Sequence, residues 1–396
     1  MHVFLNALGA TCSSGVTYLR NVIPRLSTRT GIRTTLAVSP EFREEFRRHA
    51  NVTVLNKNFG RSPATRFWQE QTILPHLVRE SGADVLISAG NFAMHHSPVP
   101  QILLSGNAIY TSKDFFRDLR TRGAYGLWLD THARGFFARR SVAWADCTVA
   151  PSQWFAREIQ RWAGRDAVDI YHGFDPSQFF ADKTPLPEEI QRKLTVGADT
   201  LRLLFVTHYN YYRNFETLLR ALPILRERLG AGRKLRLFLT CELRSGCNPG
   251  SYRPESAAAV VNDLGIREEV VELGSIPYRS LHHVYKACDV YVTPAYAETF
   301  GHPLVEAMAS RLPIVASDLP VHREICGRAA LYFERFDPAD LAEQVLKLAR
   351  SSESQAELAV RGLARSRDFS WAKHVNEVLA LAETLLADKV PPMFAA

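Results

Sequence analysis

Between Asp289 and Phe333 the sequence DVYVTPAYAETFGHPLVEAMASRLPIVASDLPVHREICGRAALYF alternates short β-branched runs with helix-forming stretches. Such alternation confines a chain to a largely parallel α/β sheet. Asp289–Pro294 is β-branched and aromatic, as a buried strand would be. The loop AYAETFGH follows, and Pro303 falls where a first helical residue would sit. Proline suits that place because the N–H it lacks would have no helical partner. Leu304, Val305, Ala307 and Met308 make an apolar helix, residues 311–313 stop it, and Pro313–Ser317 is the next strand. A helix opening straight after a strand presents N–H groups and a positive dipole end, which suit a phosphate. Glu298 in the loop and Glu306 one turn into the helix bracket that spot. Taken singly, they also read as a solvated loop charge and a first-turn glutamate complementing the dipole.

The same rhythm extends to both sides. His2–Leu8 is an apolar strand, Gly9–Gly15 a Gly/Ser/Thr loop, and Val16–Leu26 has helical apolar spacing. Strands are expected at 33–39, 52–55 and 85–88, with helices at 41–49 and 65–81. A Pro-flanked, charged connection at 181–200 reads as an interdomain linker. Strands then recur at 201–206, 235–240 and 270–272, and helices at 215–229, 255–264 and 280–287. After Phe333 the spacing predicts helices at 337–350, 353–365 and from Ser370 to about Leu386, then a loose tail at 391–396. Gly230-Ala231-Gly232 follows a helix, not a strand, so it is no dinucleotide fingerprint. In doubly wound sheets ligands sit at the carboxyl ends of strands, which singles out the loops 9–15 and 88–91.

A chain of 396 residues exceeds one comfortable core, so two domains are expected. No apolar run approaches the roughly 20 residues that span a bilayer. The first residues lack a basic segment followed by a long apolar core, so no signal peptide is expected. Cys12, Cys147, Cys241, Cys247, Cys288 and Cys326 are scattered without a C-x-x-C pair, which fits thiols in a reducing cytoplasm better than disulfides or zinc. Residues 1–180 hold 21 Lys and Arg against 14 Asp and Glu, and the remainder holds 27 of each, so the whole formal excess of +7 lies in the first half. A basic face of this kind attracts anionic lipid, an anionic acceptor or nucleic acid, or simply confers solubility. Within 113–140, Lys113, Arg117, Arg120, Arg122, Arg134, Arg139 and Arg140 interleave with six aromatic residues. That segment reads either as a contact for a membrane interface or acceptor, or as an amphipathic helix covering the core.

ETFGHPLVEAMA (298–309), followed by PIVAS and by Asp318, Pro320, Glu324 and Ile325 in a D-x-P-x-x-x-E-I pattern, resembles the E-x7-E signature of retaining GT4 glycosyltransferases. The resemblance covers most of the chain. Ser14-Gly15-Val16, with Leu19 and Leu26, is similar to the loop and helix that approach the donor phosphates and sugar, although Gly15 also reads as a mere turn residue. PQILL resembles the strand that usually ends in a sugar-binding histidine. Here Ser105-Gly106-Asn107 follows instead. Asn107 is the candidate replacement, able to hydrogen-bond a hydroxyl but not to act as a base near neutral pH. Ala145-Asp146, Pro151-Ser152 and DIYHGFD (169–175) match further segments, with His172 where asparagine is usual. THYNYYRN (207–214) is similar to the loop whose two cations clamp the nucleotide diphosphate. Arg213 keeps the second cation, with a planar fork suited to phosphate oxygens. His208 replaces the first and is at best partly charged near pH 7. Gly274–Pro277, including Ile276, is similar to the backbone that meets the nucleobase, with Tyr278 flanking the base.

The resemblance implies a GT-B fold, with two Rossmann-like, doubly wound α/β domains facing across a cleft and a last helix crossing back to the first. The expected acceptor domain is 1–180 plus about 370–396, and the expected nucleotide-sugar domain is 181–369. Glu298, Arg213 and Asn107 take the catalytic roles. Glu306 would accept hydrogen bonds from ribose hydroxyls. His208, Gly15, Phe300, Gly301, Leu304, Val305, Ile276 and Tyr278 line the donor, and the N–H groups near Leu304 and Val305 serve the diphosphate. No D-x-D occurs, so no metal or other cofactor is expected. The expected partners are a nucleotide sugar, a glycan or lipid-linked acceptor and an anionic membrane surface touched by the basic first domain, without nucleic acid. The expected location is the cytoplasm, at the inner face of the plasma membrane. A sugar-nucleotide epimerase shares the architecture, and E-x7-E argues against it. An inactive sugar-nucleotide-binding scaffold is the alternative that the missing histidine and His208 favour.

Overall fold

The computed structural model describes residues 1–11, 13–60 and 62–388, excluding the side chains of Ser13 and Ser14. Cys12 and the tail 391–396 lie outside the described residues. The chain forms two compact units: residues 1–111, 128–173 and 370–396, and residues 112–127 and 174–369.

The first unit is built on a parallel sheet of seven strands: β1 (His2–Asn6), β2 (Arg33–Ala37), β3 (Val52–Val54), β4 (Val85–Ala89), β5 (Gln101–Leu104), β6 (Cys147–Ala150) and β7 (Val168–Asp169). Its order is β3-β2-β1-β4-β5-β6-β7, so the chain reverses direction across the sheet beside β1. Every residue of β1 is buried, as expected for a central strand covered on both faces. The helix Trp371–Asp388 belongs to this unit although it comes last in sequence. Trp371, Val375, Val378, Leu379 and Ala382 recur at helical spacing and enter one core with Leu19, Val22 and Ile23 of the helix Ser13–Ser27. Gly173 permits that docking, since a Cβ there would lie 2.0 Å from the Trp371 nitrogen.

The second unit holds a parallel sheet of six strands: β8 (Thr200–Phe205), β9 (Lys234–Leu239), β10 (Val270–Glu272), β11 (Val290–Thr293), β12 (Ile314–Ser317) and β13 (Ala330–Phe333), in the order β10-β9-β8-β11-β12-β13. The direction reverses between β8 and β11. The loops leaving those two strands carry Arg213 and Glu298, at the place where open α/β sheets bind ligands.

Four sequence expectations change. The helix expected at 65–81 is two helices, Pro63–Thr72 and Leu74–Ser81, because Pro75 lacks an N–H and its ring excludes the preceding turn. The helix expected at 41–49 shrinks to a 3₁₀ turn, Pro40–Phe42, and one helical turn, Arg43–Phe46. The expected linker contains a helix, Glu188–Leu194, and the unit boundary falls earlier, after Gly173. Residues 112–127 lie in the first half of the sequence but belong to the second unit.

Candidate active site

The loop between β11 and the helix His302–Ala309 is held from three sides. The Asn214 amide donates to the Pro294 carbonyl at 3.0 Å, and the Ser317 hydroxyl donates to the Ala295 carbonyl. The Tyr296 N–H donates to the Tyr212 carbonyl at 3.0 Å, joining this loop to the one that carries Arg213. Asn214 takes a left-handed conformation, φ +55°, which asparagine tolerates better than most side chains. It thereby ends the Arg213 turn and starts the helix Phe215–Leu229.

Glu298 points inward to Arg213, with Nη1 and Oε2 2.5 Å apart, and its other oxygen accepts from the Thr299 N–H at 2.9 Å. Burial alone would raise this carboxyl, but the charge and hydrogen bond of Arg213 outweigh it and hold the pKa at about 2. The Arg213 Nε is buried without a partner among the described residues. A buried donor left unmade is costly and marks a place for an acceptor atom. The second acid of the motif sits in the opposite environment. Glu306 is buried and accepts only one hydrogen bond from a described side chain, the Tyr285 hydroxyl at 2.8 Å. Burial pushes its pKa up to about 7, against the lowering effect of that bond. The two carboxyls of the motif, eight residues apart, therefore differ widely in acidity.

Three histidines lie near Glu298 or Arg213. Burial lowers His302 to about 4 despite the nearby Glu298 charge. Burial also lowers His322, whose Nδ1 lies 2.9 Å from the Ser317 carbonyl oxygen and whose ring feels both Glu298 and Arg213. His208 is lowered first by burial and then by the positive charge of Arg213. At neutral pH it is an uncharged hydrogen-bonding group, so Arg213 is the cation of this loop.

A second polar network holds this loop from behind. Asp118, on the helix Lys113–Thr121, accepts from the Tyr296 hydroxyl at 2.7 Å and from the Arg122 Nε at 2.8 Å. Arg122 also pairs with Glu216 at 2.8 Å and lies over the Tyr211 ring at 4.3 Å. Tyr296 stands two residues before Glu298, so this network fixes the loop next to its acid.

Several expected site residues take other parts. Phe300 is buried, with its ring against Phe369 at 5.4 Å and His302 at 5.0 Å, so its side chain serves packing rather than the donor. Gly301 has φ +87°, and a Cβ there would come within 2.8 Å of Leu304, so this position needs glycine. Leu304 and Val305 are buried, and the Leu304 N–H already donates to the Gly301 carbonyl at 2.9 Å. Ile276 is half-buried, while Tyr278 is exposed beside Phe179.

In the first unit, a cavity of about 250 Å³ opens at the carboxyl ends of β1, β4, β5 and β6. Gly15 lines it, together with Asn91, Ser105, Gly106 and His172. Gly15 sits at a close approach, since a Cβ there would lie 3.0 Å from that of Ala10. Asn107 does not line this cavity. Its side-chain oxygen accepts from the Ile109 N–H at 3.3 Å and caps a 3₁₀ turn, because an asparagine just before a turn finds that donor close by. His172 stacks on Trp371 at 5.6 Å, and His374 bridges the Tyr171 carbonyl and the Tyr18 hydroxyl.

Sequence reasoning did not single out Tyr285, His302, His322, Asp118 or Tyr296. The two histidines lie inside the quoted motif strings, as intervening positions. Asp118 and Tyr296 are 178 residues apart, and no local pattern links them.

The two parallel sheets, each with its strand-order reversal, and this loop define a GT-B protein. Sucrose-phosphate synthase from Thermosynechococcus elongatus superposes with a TM-score of 0.75 at 15% identity, covering 98% of this chain and 100% of that one. Anabaena HepE in complex with UDP-glucose gives 0.71 at 15% identity, over 97% and 100%. Residues 187–364, which lie within the second unit, match the family glycosyl transferases group 1. D-inositol 3-phosphate glycosyltransferase of Corynebacterium kroppenstedtii is 29% identical over 215 residues, 53% of this chain and 47% of that relative. The chain thus spans about half the length of that relative.

Proposed function

We propose that the protein is a retaining, metal-independent glycosyltransferase. It moves a sugar from a nucleoside-diphosphate sugar to a hydroxyl of a glycan or lipid-linked acceptor, in cell-surface polysaccharide, lipopolysaccharide or glycolipid synthesis. The second unit binds the nucleotide and the first the acceptor. The enzyme works in the cytoplasm at the inner face of the membrane.

This reading rests on Arg213, a part-buried cation paired with Glu298, whose Nε has no partner among the described residues. As the bond from the sugar carbon to the diphosphate breaks, Arg213 stabilises the charge on the leaving oxygens, a preorganised electrostatic role. The acceptor oxygen bonds to that carbon, and its proton passes to the departing diphosphate. Glu298 faces the transferred sugar. Glu306 takes the ribose hydroxyls, which supply the hydrogen bonds its ionised form lacks.

The test is the melting temperature of the purified protein with UDP, GDP, ADP, dTDP and CMP, each with and without EDTA. UDP comes first because a structural relative binds UDP-glucose. One nucleotide at a hundredfold excess over its Kd should add about 2.7 kcal/mol of stability, unaffected by EDTA. No shift with any of the five would sink the reading. The inactive scaffold remains a second reading, favoured by the local use of Asn107 and the uncharged His208. It predicts a nucleotide shift without turnover of any donor.

A further inference from the structure

The helix Tyr125–Trp144 is turned inside out for a protein in water. Its inward positions carry small residues, among them Thr131, Gly135, Ala138 and Ser141. A Cβ at Gly135 would lie 3.7 Å from Tyr110, at ordinary contact distance. Its bulky apolar residues face out: Leu129 is 62% exposed, Phe136 55% and Phe137 41%. Helices of water-soluble domains ordinarily bury that face. The patch continues onto the helix Pro63–Thr72, where Phe67 meets Phe137 at 5.1 Å and Trp68 is 62% exposed. Arg139 and Arg140 stand exposed at its margin, without an ion pair among the described residues, and Arg140 lies 5.4 Å from the Phe136 ring.

We infer that this face, built from Trp68, Leu129, Phe136 and Phe137 with Arg139 and Arg140, docks the first unit on an anionic phospholipid surface. Aromatic rings beside guanidinium groups suit the boundary between acyl chains and phosphates. The unpaired cations give the surface its sign preference. No helix among the described residues is long and apolar enough to cross a membrane, so the contact is with the surface alone. The exposed cations at the margin favour an anionic surface over a second copy of this chain, whose matching face would carry the same positive charge. The inference rests on the glycosyltransferase reading only for the purpose of the docking, which is access to a lipid-linked acceptor.

The test is co-sedimentation of the full chain with vesicles of phosphatidylcholine alone or mixed with phosphatidylglycerol. Binding to the mixed vesicles, weakened by salt, is expected. Trp68→Ser and Phe136→Ser should each lower the partition coefficient roughly tenfold. Arg139→Gln and Arg140→Gln should each lower it roughly fivefold. All four side chains are at the surface, so the variants should keep the wild-type melting temperature. No binding to mixed vesicles at low salt overturns the inference, as does equal binding to neutral vesicles. A concentration-dependent dimer abolished by Phe136→Ser also overturns it, in favour of a second copy. Nucleotide-induced melting shifts in the same variants are read separately, so a failed nucleotide site and a failed docking face are told apart.

Discussion

Glu298 and Glu306 are the same residue type given opposite acidities by their surroundings. Both were legible in the sequence, because the motif is local and its spacing is fixed by one loop and one helical turn. Their environments were not, because Arg213 and Tyr285 reach them from other segments. Arg213→Ala would leave the part-buried Glu298 without its cation, at a cost of about 2–4 kcal/mol in chemical denaturation. The double variant Arg213→Met, Glu298→Met should regain most of that stability and still bind no nucleotide. Retained nucleotide binding in the double variant would contradict the role given to the pair. Glu306 works in the other direction. A carboxyl with a raised folded-state pKa binds its proton more tightly in the folded protein, so stability falls as pH rises from the ordinary carboxyl range through about 7. Glu306→Gln should therefore stabilise the protein at about pH 8, by up to about 3 kcal/mol, with the gain shrinking towards pH 4. The same variant should weaken nucleotide binding. An equal gain at both pH values would show that ionisation of Glu306 is not its cause. In the wild type, nucleotide affinity should decline below about pH 7, by at most tenfold per unit, as the carboxyl proposed to receive the ribose becomes protonated.

The loop between β11 and the helix His302–Ala309 is one strap in a set of three, with the Arg213 turn and the helix Lys113–Thr121. The strand and helix carrying this loop followed from β-branched runs and a proline at the helix start. The third strap could not, since a pairing across 178 residues leaves no trace in local periodicity. Periodicity also joins the helices Pro63–Thr72 and Leu74–Ser81, whose apolar spacing continues across the break at Ile73. Asp118→Asn keeps one acceptor for Tyr296 but turns an amide N–H2 towards Arg122. We expect a loss of about 2 kcal/mol and a lower kcat, with the nucleotide Kd unchanged. A fall in nucleotide affinity of the same size as the fall in kcat would mean that Asp118 only holds the fold together.

Across the whole molecule, the parallel sheets were expected from the alternation, and the place of the final helix from family resemblance alone. Trp371→Ala should cost about 3–5 kcal/mol and should deprotect amides of β1 and β2, not those of β8 and β11, in hydrogen exchange. Loss of protection in β8 would place the helix's contribution elsewhere. The borders of the units were harder to read, because residues 112–127 leave their sequence neighbours for the second unit. The chain consequently passes between units at residues 111/112, 127/128, 173/174 and 369/370. One unit is assembled from three stretches and the other from two. No single breakpoint in the gene separates them, so simple recombination cannot trade one unit for a relative's while leaving the other whole. Exchange of one whole unit for a relative's would need a breakpoint at each of the four crossings.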